Sequence, residues 1–189
     1  NVNCYGSSIQ YHSQYALKNH VTVIHHWNST KYSNEIWEKI ADFGIKCYKA
    51  LGLCSMFGHL EIIMKEDGTF TPIEMGARSS GFICSHTVWK ASGHDYLGDY
   101  IKMLHGAKIE PGNYMNGVQS SMWFGYDIPS NSYSVKETDI TEFLDPRIEV
   151  LFEKHDGLKV GVHYGDYIND GDRDKFGYAI LTAPQNVLT

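Results

Sequence analysis

No two cysteines of this chain stand at C-x-x-C spacing; the four present (Cys4, Cys47, Cys54, Cys84) are widely scattered. That pattern excludes a sequence-local zinc knuckle and a disulfide framework, and it leaves reduced thiols as the expectation. Histidine is plentiful, yet none of it falls at H-E-x-x-H spacing. No apolar run approaches the roughly 20 residues that cross a bilayer. Positive charge is in short supply: 16 Lys and Arg face 22 Asp and Glu, a net charge of -6. No overall basic field is therefore present to draw nucleic acid or an anionic membrane. The opening Asn1-Val2-Asn3-Cys4 has no initiator Met and neither the basic nor the apolar stretch of a signal peptide. A cytoplasmic piece of a longer polypeptide is the expectation.

What is there suffices for a core. With 189 residues, 42% hydrophobic and 13% aromatic, the chain can fold as one domain or two small ones, and disorder is excluded. Val21 to Ile24 reads as a strand, with a second strand expected before it. The adjacent His25 and His26 then point to opposite faces, which disfavours them as a ligand pair. Ile36, Ile40, Gly44, Cys47 and Leu51 recur at helical spacing, flanked by Trp37, Ala41 and Tyr48. Ser33 is positioned to cap that helix, Glu35 and Glu38 to suit its positive end, and Gly52 to stop it. Shorter helices are expected over 85–91 and 94–104. After a boundary at Glu110-Pro111-Gly112-Asn113, strands are expected over 118–126, 148–153, 159–164 and 178–182, with turns at Asp156-Gly157 and Asp170-Gly171.

The chemistry concentrates between Phe57 and Ala77, which reads as a hairpin turning at Asp67-Gly68. A two-residue turn pairs Glu66 with Thr69; a four-residue loop with Lys65 opposite Phe70 keeps the same register. Either way Leu60 faces Met75, Ile62 faces Ile73, and Glu61 lies directly opposite Glu74. Alternation puts Leu60, Ile62, Met64, Ile73, Met75 and Ala77 on an apolar face. The other face receives His59, Glu61, Glu74 and Arg78. Two carboxylates across a ladder repel each other, and magnesium, which takes oxygen ligands from one or two carboxylates plus phosphates, removes the conflict. Spacing alone leaves a second reading open, in which the acids are solvated or paired with Arg78, Lys65 or His59.

The run Gly58-His59-Leu60-Glu61-Ile62-Ile63, then Asp67-Gly68, then Pro72-Ile73-Glu74-Met75-Gly76-Ala77-Arg78-Ser79-Ser80-Gly81 resembles the closing signature of the ATP-grasp superfamily. There an acid-bearing strand leads through a hairpin to E-x-N-x-R and a nearby glycine. The resemblance extends over about residues 33–106, taking in Lys49-Ala50-Leu51-Gly52-Leu53 and Ala91-Ser92-Gly93-His94-Asp95-Tyr96. The stretch Asp170-Gly171-Asp172-Arg173 before a last strand is similar to the small C-terminal domain of the biotin carboxylase-like branch.

That resemblance implies an α+β fold: an ATP-grasp C-terminal lobe over 1–110, an antiparallel sheet with helices on one face, then a β-rich domain over 111–189. It implies ATP and Mg2+ (or Mn2+) as cofactors, with Glu61 and Glu74 as metal ligands and Arg78 on phosphate or acyl phosphate. Ser79, Ser80, Gly81 and His59 would meet substrate. It further implies a carboxylate–amine ligase or carbamoyl-phosphate-synthase-like relative, acting on small-molecule carboxylates and amines together with N-terminal domains of the same polypeptide. One departure stands out: Gly76 occupies the place of the family's Asn and supplies no side-chain oxygen. An alternative is therefore a lobe that has lost catalysis and serves as a nucleotide-binding or interaction module. No Gly-rich loop with an adjacent Lys is present, so the isolated chain is expected to bind nucleotide weakly and turn over little.

Overall fold

In the computed structural model, which describes residues 2, 4–12, 22–81, 84–109, 119–126, 141–154, 160 and 177–188, an α+β architecture is built on antiparallel strands. The strands are β1 (Ser8–His12), β2 (Thr22–Trp27), β3 (His59–Met64), β4 (Phe70–Gly76), β5 (Gln119–Gly125), β6 (Glu149–Lys154) and β7 (Tyr178–Pro184). Among the described residues the helices are α1 (Asn34–Ala50), α2 (Cys84–Ser92) and α3 (Tyr96–Leu104), with a 3-10 turn at Thr141–Phe143. Five strands form one sheet in the order β1-β2-β5-β7-β6, and β3 and β4 form a separate two-stranded sheet. β2 from before residue 110 pairs with β5 from after it, so the large sheet runs across the boundary expected there. The boundary residues 110–113, the turns at 156–157 and 170–171, the stretch 170–173 and, but for residue 160, the strand over 159–164 lie outside the described residues.

β7 lies between β5 and β6 in the large sheet and is buried along nearly its whole length. Its alternate residues feed two clusters: Ala179, Leu181 and Ala183 with Leu188 on one side, Tyr178 and Ile180 with Trp123 on the other. A strand flanked on both faces needs apolar residues at every position, and Tyr-Ala-Ile-Leu-Thr-Ala supplies nearly that. α2 lies over β2, β5 and β7, where Cys84, Val88 and Ala91 meet Trp27 and Tyr96.

The two histidines of β2 divide as alternation requires. His26 is 1% exposed, whereas His25 is only half-buried. Ser120 Oγ donates to the Trp27 carbonyl (2.9 Å) and lies 2.7 Å from His26 Nε2. Since the serine proton is committed to the carbonyl, His26 Nε2 carries its own proton and donates to Ser120. Burial pushes the His26 pKa down to about 4, so this ring is neutral and structural.

α1 matches its expected limits, with Gly52 at a left-handed φ of +66° just beyond it. Two details differ. Ser33 sits at the N-cap but makes no side-chain capping bond, and Leu51 is exposed while Trp37 and Tyr48 are the buried residues. The aromatic flank anchors the helix: Trp37 Nε1 donates to the Ser29 carbonyl (3.2 Å), and the Tyr48 hydroxyl donates to the Met56 carbonyl. Through that side α1 grips the small sheet. The Phe43 and Phe70 rings stand 5.4 Å apart, and Gly44 and Gly58 leave room for Leu60, Tyr48 and Met75.

Candidate active site

The site is built on the β3–β4 hairpin, and its key register agrees with the sequence: Leu60 pairs with Met75 and Glu61 with Glu74. It arrives there by two deviations that cancel. The turn is a three-residue loop, not the expected two or four: Lys65 N–H donates to the Thr69 carbonyl (2.8 Å) and Gly68 N–H to the Lys65 carbonyl (2.9 Å). Gly68 takes φ +78°, the left-handed position that a turn followed by a one-residue bulge requires. That loop shifts the register by one, pairing Met64 with Phe70 and Ile62 with Pro72. A bulge between Glu61 and Ile62 on this ladder then leaves Ile73 without a partner and restores the register. Pro72 has no N–H to give the ladder, which makes this a natural place for the bulge.

The bulge corrects one expectation. Ile73 does not join the apolar face; it is 59% exposed, and Ala77, past the end of β4, is exposed too. The face against α1 consists of Leu60, Ile62, Met64, Phe70 and Met75, all at least half-buried. The opposite face gains a residue that spacing arguments passed over. Ile63 alternates onto the side of Glu61 and is 53% exposed, an apolar platform beside the acids; its position two residues after Glu61 was the available signal.

Around the acid pair the named residues gather closely. His59 pairs with Gly76 at the head of the ladder. Burial lowers the His59 pKa; Glu61 opposes that, Arg78 adds to it, and Glu74 opposes it. The charges of all three residues therefore reach this ring. His59 Nδ1 is buried and has no hydrogen-bond partner, so any contact from His59 to a ligand runs through Nε2. Neither Glu61 nor Glu74 is engaged in an ion pair. The reading in which Arg78, Lys65 or His59 neutralises them is thus not what the hairpin does.

Arg78, Ser79, Ser80 and Gly81 follow β4 as a loop. Arg78 folds back over Gly76 and donates from Nη1 to the Ser79 carbonyl at 3.0 Å. A cavity of about 1860 Å³ is lined by His59, Glu61, Glu74, Ser79 and Ser80, while Arg78 and Gly81 stand outside its lining. β1 and α1 contribute to its other walls, with Ile9 and Ile40, as do α2 and α3 through Val88 and Tyr96.

Among the described residues, no group of three or more His, Cys, Asp or Glu is arranged to hold a metal by protein atoms alone. Two opposed, unpaired carboxylates suit an ion that completes its shell with water and phosphate oxygens, which is how magnesium is ordinarily held. Their chemistry fits Mg2+ or Mn2+ and not a soft metal, since no thiolate or histidine completes the set. Among the described residues, no helix is long and apolar enough to cross a membrane.

No protein-family model matches this chain, and no curated protein does. Solved structures do match. Phosphoribosylglycinamide synthetase from Anaerococcus prevotii aligns at TM-score 0.61 and 18% identity, over 95% of this chain and 43% of that one. L-amino acid ligase from Bacillus licheniformis aligns at TM-score 0.57 and 16% identity, over 86% and 39%. Biotin carboxylase from Campylobacter jejuni, in a β,γ-ATP complex, aligns at TM-score 0.51 and 14% identity, over 97% and 43%. This chain spans about two fifths of the length of these matched structures. All three are ATP-grasp ligases, and the chain has their fold.

Proposed function

We propose that this ATP-grasp fold is the C-terminal part of an ATP- and magnesium-dependent ligase that activates a carboxylate as its acyl phosphate for attack by an amine or similar nucleophile. The observation that carries the reading is the pairing of Glu61 with Glu74, both without a counter-ion, on a face shared with His59 and flanked by Arg78. In this reading Glu61 and Glu74 hold the metal, and bound magnesium neutralises charge on phosphate oxygens.

The protein's own groups supply the rest by position and charge. Arg78 offers a planar, permanently charged fork to the anionic oxygens of phosphate or acyl phosphate. Ser79 and Ser80 bring hydroxyls, and Gly81 a backbone N–H that no side chain obstructs. His59 is held neutral by its burial and meets substrate as a hydrogen-bonding group through Nε2. Ile63 gives a flat apolar ligand group a surface beside the acids. In the first step a carboxylate oxygen attacks the terminal phosphorus and the bond to ADP breaks. In the second, the amine nitrogen attacks the acyl carbon, loses a proton, and phosphate departs.

This chain spans 43% of the matched synthetase, and in this reading N-terminal domains of the same polypeptide complete the site. Hydroxylamine captures acyl phosphates as hydroxamates, so the parent polypeptide, given ATP, Mg2+ and a panel of carboxylates, should yield hydroxamate and ADP together. Glu74→Gln should abolish both. ADP release that continues unchanged in Glu74→Gln would sink the proposal.

A second reading rests on Gly76. A lobe that has lost catalysis still binds Mg-nucleotide but forms no hydroxamate with any carboxylate. Nucleotide binding that Glu74→Gln removes, without hydroxamate from the unaltered parent, selects that reading.

A further inference from the structure

We infer that the space left at Gly76, next to Gly81, is a slot that lets the Arg78 side chain lie back over the end of the hairpin, making Gly76 a positioning residue for the anion-binding arginine and not merely a lost ligand. The inference rests on the function proposed for this site and adds to it how its cation is aimed.

The geometry is specific. A Cβ on Gly76 would stand 3.3 Å from Arg78 Cγ and 3.4 Å from both Cζ and Nε. Those distances are tighter than ordinary carbon contacts, so a Cβ at 76 displaces the arginine by a few tenths of an ångström and a larger side chain by more. A Cβ on Gly81 would lie 3.9 Å from Arg78 Nη1, in ordinary contact. Nη1 donates to the Ser79 carbonyl at 3.0 Å, tying the fork to the loop it serves. Gly76 does not have a left-handed φ, so its backbone does not demand glycine. The absent side chain is needed for the space.

An exposed arginine ordinarily wanders through many rotamers, and capturing an anion then costs it that freedom. With one N–H already given to Ser79, the N–H groups of Nε and Nη2 remain available to an anion. That is a bidentate presentation suited to a phosphate or carboxylate oxygen pair. Glycine at 76 thus exchanges a side-chain oxygen for a held cation. The site should favour an anion on the arginine over a second metal ion on the strand.

Three arginines occur in the chain, Arg78, Arg147 and Arg173, so side-chain Nε–H resonances are few enough to assign. Arg147 is an internal standard, locked to Asp145 by Nε and Nη2 bonds of 2.9 and 2.7 Å. In the ligand-free 189-residue chain, 15Nε relaxation should find Arg78 close to Arg147 in order. Gly76→Ala should loosen it and Gly76→Asn more so, while Arg147 stays unchanged.

Titration with inorganic phosphate should then weaken about tenfold in Gly76→Asn, the loss expected for one charge-assisted hydrogen bond. In an Arg78→Ala background the same glycine substitution should change nothing further. A mobile Arg78 in the unaltered chain, or additive effects of the two substitutions, overturns the slot. The relaxation result stands without any nucleotide, so failure of ligase activity in the parent and failure of the slot are separately visible.

Discussion

Replacing Glu74 by Gln should make the metal-free protein slightly more stable while removing its response to magnesium. Glu61 and Glu74 face each other across the ladder, where directly opposite Cβ atoms stand about 4.5–5.5 Å apart. Two unit charges at that distance in a largely aqueous setting repel by about 1 kcal/mol. For a chain of this size, about 1 kcal/mol moves the midpoint of thermal unfolding by about 2–4 °C. Gln keeps the shape and discards the charge, so circular dichroism melts at low ionic strength should show a rise of that order. At about 0.5 M salt the rise should mostly vanish, because screening then acts within a few ångströms. Magnesium should reverse the ranking. At about ten times its dissociation constant a bound ion adds roughly 1.4 kcal/mol to the unaltered protein, and Glu74→Gln should gain nothing. A variant that melts lower than its parent without metal, or that keeps the magnesium-induced rise, refutes the reasoning.

Acid should weaken the fold through His26. Its folded pKa is about 4 against an ordinary 6.5, so between those values the unfolded chain binds the extra proton. Stability is then intact above pH 6.5 and falls by about 3 kcal/mol on descending to pH 4, and urea midpoints should fall less steeply with pH in His26→Gln. Gly58→Ala places a Cβ 2.6 Å from Met75 Cε, which can swing aside, and 3.1 Å from Tyr48 Cε2; it should cost about 1 kcal/mol in denaturant unfolding by pressing on the ring that anchors α1. Asp99→Ala should cost about 3 kcal/mol. It strips the common acceptor from His94 (2.5 Å), Lys102 (3.2 Å) and the Tyr5 hydroxyl (3.3 Å). A loss below about 1 kcal/mol would show that water replaces the carboxylate there.

Local pattern carried much of this protein and long-range pairing carried little. α1 was legible because its period, acidic start and terminal glycine agree, yet Ser33 forms no capping bond and the aromatic flank outcompetes the aliphatic spine for burial. The acid pair was legible for a less secure reason. A turn one residue longer than the simplest and a bulge at Ile73 offset each other, and alternation cannot see either until Pro72's missing donor is given weight. That β2 pairs with β5, some ninety residues away by sequence, has no local signature at all. The same holds for the pose of Arg78, which depends on what Gly76 and Gly81 leave vacant.

The small sheet has a consequence for how such a protein can change. Glu61 and Glu74 are held opposite each other by bonds internal to one hairpin, so their mutual spacing does not depend on where that hairpin sits. That spacing travels intact if the unit tilts with α1, whereas another wall of the cavity comes from β1, with Ile9 in it. Evolution could reshape that wall for a new ligand, residue by residue, without ever retuning the pair of acids.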